Sequence, residues 1–416
     1  MGQPVFVPLY KLFLVYGNCF RLSFGPKSFV IVSDPELVKH ILVTNAKAYS
    51  KGILTEILDF VMGNGLIPAN GEIWRRRRKS VVPSLHKKYI AAMISLFGDC
   101  SDRASNAVGD AAKKGEYIEM EEMFSKMALD VIGKAVFNYD FDSLSTDSPV
   151  IRAVYTALRE AEHRSLALIP YWNLPFATEL IPRQRRCKAA LEVINVTLDG
   201  LIERCKQMVE DEDVEFDPEY LNEVDPSILH FLLASGDEVS SKQLRDDLMT
   251  LLIAGHETTA AVLTWTFYLL AEHPHIQREL QEEIDRVVGD RQPTMADLKE
   301  LWKCTRVINE SMRLYPQPPV LIRRLIDDED QLGPYTIKKG EDIFISVWNL
   351  HRSPRLWEAP ESFQPFDRWS IDDPQPNEYN QDYRYLPFGA GSRKCVGDQF
   401  ALLESVCCMA MLLRRF

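Results

Sequence analysis

Hydrophobic and polar residues alternate twice near the start of the chain, in Phe20–Phe24 and again in Phe29–Asp34, with Gly25-Pro26 between them. Alternation places successive side chains on opposite faces of a ribbon, so both runs read as strands within a strand-like first fifty residues. From Lys51 to about Gln317 the apolar positions recur at helical spacing. The strongest helical run extends from Ser240 to His273, about 34 residues or roughly 51 Å. Ser240 and Gln243 have the spacing of a capping box, and Pro274 marks the far end. Short β-rich pieces return between Leu321 and Val347, and a Pro-rich, polar meander follows. Helical spacing resumes after Gly397. The pattern predicts a mainly α chain with a smaller β-rich lobe, without internal repeats or low-complexity tracts.

Composition narrows the function classes. With 48 Lys+Arg against 60 Asp+Glu, the net charge of -12 speaks against nucleic acid as a partner. Eight cysteines without a C-x-x-C pair suit neither a disulfide scaffold nor a zinc ribbon, and reduced thiols are expected. No run of 18 apolar residues exists to span a bilayer. The N-terminus has no signal-peptide or import-leader pattern, so any targeting segment is expected to be absent from this chain. The acidic run Glu210–Asp217 reads as a solvated surface loop, and the Asn195 sequon lies in helical pattern.

Four constellations carry chemistry. In Phe388–Gly397, glycines at 389, 391 and 397 let backbone approach a bulky flat group, beside Arg393 and Cys395. A Gly-rich loop around an inert buried cysteine is the competing reading. Glu310 and Arg313, at i and i+3, share a helix face and can pair. Midway along the long helix, Ala254-Gly255-His256-Glu257-Thr258-Thr259 joins an acid to an alcohol. It is no zinc-protease motif, because the second histidine position holds Ala260. Trp74 precedes a basic block, Arg75 to Lys79, of which Arg75, Arg76, Arg77 and Lys79 read as a solvated face.

The loop fits F-x-x-G-x-R-x-C-x-G at all five fixed positions of ten, and in this it resembles the haem-thiolate loop of the cytochrome P450 superfamily. The resemblance covers essentially the whole chain and implies a single P450 domain over residues 1–416. Its β-rich lobe would take about 17–50 and 321–350, its helical lobe about 51–320 and 396–416. The meander and haem-thiolate loop would fill about 351–397. The cofactor implied is haem b (iron protoporphyrin IX), with Cys395 as axial ligand and Phe388 and Gly397 at the same loop. Trp74 and Arg78, matching W-x-x-x-R, would bind propionates together with Arg323 and Arg393. Glu257 and Thr258 would relay protons during O2 activation, with Gly255 opening the helix locally. Glu310 and Arg313, joined by Arg368 of the meander, would have a structural role. The usual meander spacing is one residue shorter.

Longer segments, including residues 65–89, 133–144, 225–248 and 313–324, look like the plastid carotenoid-ring hydroxylase branch. That implies hydroxylation of carotene ionone rings on the path to xanthophylls such as lutein and zeaxanthin. The N-terminal half is most similar to members acting on β-rings, while 395–405 is equally similar to the ε-ring type. Substrate contact is expected from Leu251 and Ala254 and from Pro319, Val320 and Leu321 with Pro318. Electrons are expected from ferredoxin or a flavin reductase, docked with help from the basic block. A plastid location, peripheral to the membrane, follows from the branch. The apolar stretch Val5–Leu14 would either lie on lipid or pack on the β-lobe. The family's usual C-terminal β segment is expected to be missing after Phe416. The alternatives are a fatty-acid hydroxylase of the same superfamily and an inactive, truncated haem-binding fragment.

Overall fold

The computed structural model describes residues 4–24, 27–146, 149–167, 170–211, 227–234 and 240–416. Residues 212–217 of the acidic run, and 225–226 and 235–239 of the branch-like segment 225–248, lie outside the described residues. The chain divides into two compact units, one comprising Met1–Ile53 with Thr258–Phe416, the other Leu54–Glu257.

The first unit carries the β structure: β1 (Cys19–Phe24), β2 (Lys27–Val32), β3 (Tyr49–Ser50), β4 (Val320–Leu325), β5 (Glu329–Leu332), β6 (Tyr335–Lys338) and β7 (Asp342–Ser346). Five of them form a mixed sheet in the order β1-β2-β7-β4-β3, and β5 and β6 make a hairpin. β2 runs parallel to β7 with Val30 beside Ile343, and β4 runs antiparallel to β7 with Arg323 beside Ile343. The alternation seen in the sequence has its cause here. Val30 and Val32 pack into a core with Ile343, Ile345, Leu325 and Leu350, whereas Ile31 faces a second cluster with Phe20, Leu9 and Phe13.

The strand-like reading of the first fifty residues holds only for part of them. Phe6–Tyr16 is a helix, and Asp34 leaves the strand to cap Pro35–Lys39, accepting N–H groups from Glu36 and Leu37. In the N-terminal helix Leu9 and Phe13 are buried on the sheet, while Leu14, Val15 and Tyr16 stay exposed. Helices Pro274–Val287 and Trp302–Leu314 both pack against Asp398–Leu413 in the same unit.

The second unit is helical among its described residues, and includes Gly71–Ser84, Ile94–Lys114, Met120–Phe137, Pro149–Leu166 and Pro182–Asp211. The last two lie along each other, joined where the buried Glu160 carboxylate accepts from Arg164 (2.9 Å), Arg183 (2.6 Å) and Gln184 (2.7 Å).

The long helix spans Ser241–Glu272. Its capping box is half made. Ser240 Oγ accepts the Gln243 N–H at 3.2 Å, but the Gln243 amide side chain donates instead to the Asn64 carbonyl at 2.9 Å. Pro274 opens the next helix at its first turn, where a missing N–H costs nothing. The helix stays α-helical through Gly255, so the expected local opening is not found. A Cβ there would lie 2.5 Å from Ile132 Cδ1, and glycine serves the close approach of the Met120–Phe137 helix. Among the described residues no helix is long and apolar enough to cross a membrane.

Candidate active site

The Cys loop is fixed by its backbone. The Cys395 N–H donates to the Phe388 carbonyl at 2.9 Å, and Gly389 (φ 71°) and Gly391 (φ 67°) take left-handed conformations in between. Any Cβ at Gly391 would stand 1.9 Å from the Leu42 carbonyl oxygen, so the loop seats directly on the His40–Thr44 turn. Lys394 Nζ is held at 3.1 Å from both Glu378 and Asp398. Six of the eight cysteines are buried and Cys19 is half-buried, but Cys395 is exposed. Burial pushes the Cys19, Cys100 and Cys187 thiols up to about 11, which keeps them protonated as packing groups.

Two features beside this loop ask for a ligand. Gly397 has φ -99°, which any residue can adopt, yet no atom lies within 4 Å of where its Cβ would be. The glycine therefore keeps space open rather than bending the chain. Arg323, only 6% exposed, donates to the Ile322 carbonyl at 2.8 Å and meets no carboxylate among the described residues. Burial lowers its guanidinium to about 10, so it stays a cation at neutral pH. Its neighbour Arg324 is matched by Asp342 at 2.7 Å. A buried cation without a counter-charge, an exposed thiol and open space over a glycine suit a flat, anionic, thiolate-ligated group. These residues fit haem.

In the second unit, Trp74 and Arg78 share one face of Gly71–Ser84, with the guanidinium carbon 6.0 Å from the indole centroid, and line an open cleft with Lys79, Val82 and Pro83. Arg75, Arg76 and Lys79 are exposed, as expected. Arg77 corrects the reading of the basic block. It is 2% exposed and its Nε donates to Asp247, which is fully buried. Burial pushes the Asp247 carboxyl up to about 6 even with Arg77 opposing it. Arg77→Met is expected to destabilise the protein by about 3–5 kcal/mol at pH 8, since an unpaired buried carboxylate is left. The loss should shrink at pH 5, where Asp247 takes up a proton; denaturation midpoints at the two pH values measure it. Equal losses at both would rule the charge out as the cause.

On the long helix, Leu251, Ala254 and Thr258 recur at helical spacing along one face, and Thr258 is exposed. Glu257 is part-exposed; burial, then the neighbouring Glu121, raises its carboxyl pKa. His256 and Thr259 point into protein. Thr259 Oγ1 donates at 3.3 Å to Glu404, a completely buried carboxyl that burial drives well up. Glu404 was not among the expected residues, although a lone acid in the apolar run from Ala401 to Leu413 marks it. Pro319, Val320 and Leu321 are half-buried at the start of β4, and a Cβ on Gly389 would stand 3.9 Å from Leu321 Cδ1. Glu310, Arg313 and Arg368 do meet: Arg313 pairs with Glu310 at 2.9 Å, and Arg368 Nε reaches Glu310 at 3.1 Å despite the longer spacing.

A helical chain with a small mixed sheet and a cysteine presented on a pinned Gly-rich loop has the architecture of a haem-thiolate protein. The family model for cytochrome P450 matches residues 2–416, and the chain belongs to that family. It is 67% identical over 415 residues to Protein LUTEIN DEFICIENT 5, chloroplastic, of Arabidopsis thaliana, covering all of this chain and 69% of that one. It is 50% identical over 417 residues to Carotene epsilon-monooxygenase, chloroplastic, of the same plant, covering 100% and 77%. Cytochrome P450 97B2, chloroplastic, of Glycine max is 46% identical over 451 residues, with 100% and 78% covered. The protein is a cytochrome P450 monooxygenase with haem b as its cofactor.

Proposed function

We propose that this protein hydroxylates the ionone rings of carotenes, with a preference for the β-ring, using O2 and electrons from a redox partner. The observation that carries the enzymatic reading is Cys395, the exposed cysteine on a loop held by the Phe388 carbonyl. Two relatives, named for lutein and for carotene monooxygenation, support the substrate class. The preference for the β-ring rests on the likeness of the N-terminal half to β-ring members, and the 50% identity to Carotene epsilon-monooxygenase is the lower of the two.

In this reading Cys395 would ligate the iron, Arg323, Arg393 and Arg78 would neutralise the propionates, and Trp74 would help to hold them. When bound, haem supplies O2 activation and oxygen insertion into a C–H bond. Glu257 and Thr258 deliver protons, and the raised pKa of Glu257 suits a group that must both take and give one. Leu251 and Ala254 on the long helix, with Pro319 just before β4 and Val320 and Leu321 on it, supply apolar substrate contacts. Leu14, Val15 and Tyr16, exposed beside the anchored Leu9 and Phe13, suit contact with lipid from which a carotene would enter. Arg75, Arg76 and Lys79 suit docking of an acidic electron donor, ferredoxin or a flavin reductase. A plastid location accords with the chloroplastic relatives, and a place peripheral to the membrane with the exposed Leu14, Val15 and Tyr16.

The test is turnover of the haem-loaded protein with a ferredoxin-based electron supply, offered β-carotene or a long-chain fatty acid. Ring-hydroxylated carotene is the expected product. Hydroxylation of the fatty acid alone would replace this reading with the fatty-acid one.

A further inference from the structure

His256 has no role in the reaction as described, yet its surroundings are unusually specific. The ring is fully buried, and its Nε2 lies 2.8 Å from Ser125 Oγ and 3.3 Å from the Tyr155 hydroxyl. Those two hydroxyls are 2.6 Å apart. Ser125 belongs to Met120–Phe137 and Tyr155 to Pro149–Leu166, so three helices converge on one ring. On the other side, Nδ1 is buried without a hydrogen bond and stands 3.4 Å from Glu257 Oε1.

Hydrogen-bond direction follows from acidity. A phenol is the better donor, so Tyr155 donates to Ser125, and Ser125 spends its own proton on Nε2. With Nε2 accepting, a neutral imidazole must carry its proton on Nδ1, facing Glu257. Burial lowers the imidazole to about 4, which keeps the ring neutral at physiological pH. Glu121 is the other charged group acting on Glu257, and it disfavours the carboxylate.

We infer that His256 is a positioning residue for Glu257: the Tyr155–Ser125–His256 chain fixes the Nδ1–H tautomer and sets that donor 3.4 Å from Glu257 Oε1, where a small turn of the Glu257 side chain completes the hydrogen bond. The inference rests on the reading of Glu257 as a proton-relay group. Asn can place an amide N–H where Nδ1 sits, whereas Gln reaches only toward the Nε2 side. His256→Gln and His256→Leu are therefore expected to lower the share of electrons recovered in product about tenfold, with peroxide rising in step, while His256→Asn restores most of it.

A second readout needs no turnover. In the reduced, carbon-monoxide-bound holoprotein, nitrogen-15 ring shifts should show His256 as a neutral Nδ1–H tautomer, and Ser125→Ala should remove that bias. An Nε2–H tautomer in the unsubstituted protein would overturn the inference. So would equal coupling in the Asn, Gln and Leu variants where Glu257→Gln is uncoupled. Normal coupling in Glu257→Gln would instead remove the reading of Glu257 itself.

Discussion

Replacing Cys395 by Ser is expected to abolish the thiolate-type Soret band of the reduced, carbon-monoxide-bound protein and, with it, all hydroxylation. The loop that carries Cys395 is set by backbone, namely the 2.9 Å bond to the Phe388 carbonyl, two left-handed glycines and the seat on Leu42. None of these uses the sulfur, so the variant should fold and keep its thermal midpoint. What it loses is an ionisable soft donor, because a hydroxyl remains protonated where a thiol gives a thiolate. Arg323 and the opening over Gly397 are untouched, so some haem uptake through the propionates should persist. The informative outcome is the pair of results together: haem retained, thiolate band gone. A thiolate-type band in Cys395→Ser would move the ligand assignment elsewhere in the chain.

The sequence revealed most where local pattern and local chemistry coincide. The β2 alternation was readable because its two faces enter two different cores, and the loop because its ten positions match a family pattern, where glycine spacing alone left an inert buried cysteine open. Arg77 was misread for the opposite reason. Nothing in a run of five basic residues says which one turns inward, and its partner Asp247 lies 170 positions away. Gly255 was assigned to helix opening, whereas its reason is a neighbour, Ile132, on another helix. The same holds for His256, whose partners Ser125 and Tyr155 carry no motif of their own. Arg368 shows the converse. Its spacing departs by one residue, and the short helix Pro365–Arg368 still delivers the guanidinium to Glu310.

Arg313→Leu is expected to yield no stable haem-loaded protein. Arg313 and Glu310 are both completely buried, and Arg313 is tied in five directions. It donates twice to Glu310 at 2.9 Å, and to the carbonyls of His351 (2.8 Å), Pro360 (2.6 Å) and Ser362 (3.0 Å). Glu310 in turn accepts from Trp369 Nε1 at 2.9 Å and from the Gln364 N–H at 3.1 Å. One helical ion pair thus ties several points of a meander that has little regular structure of its own. His351 extends the tie toward the Cys loop: its Nε2 accepts the Leu386 N–H at 2.8 Å, and burial pulls its pKa down to about 3, keeping that acceptor available. Losing Arg313 takes two charge-assisted bonds from a buried carboxylate, leaving it Arg368, Trp369 and the Gln364 N–H, and removes the guanidinium donor from three carbonyls. Breaking a buried pair alone costs about 3–5 kcal/mol, a large part of the roughly 5–15 kcal/mol that holds a typical domain folded. Arg368 sits at the edge of the network, 9% exposed, with one bond to Glu310. Arg368→Leu should therefore lower the thermal midpoint by a smaller amount and still bind haem. Haem content and thermal midpoints of the two variants, measured side by side, decide the matter. If Arg313→Leu were no less stable than Arg368→Leu, the meander would be held by its own packing of Trp357, Trp369 and Tyr385 rather than by this ion pair.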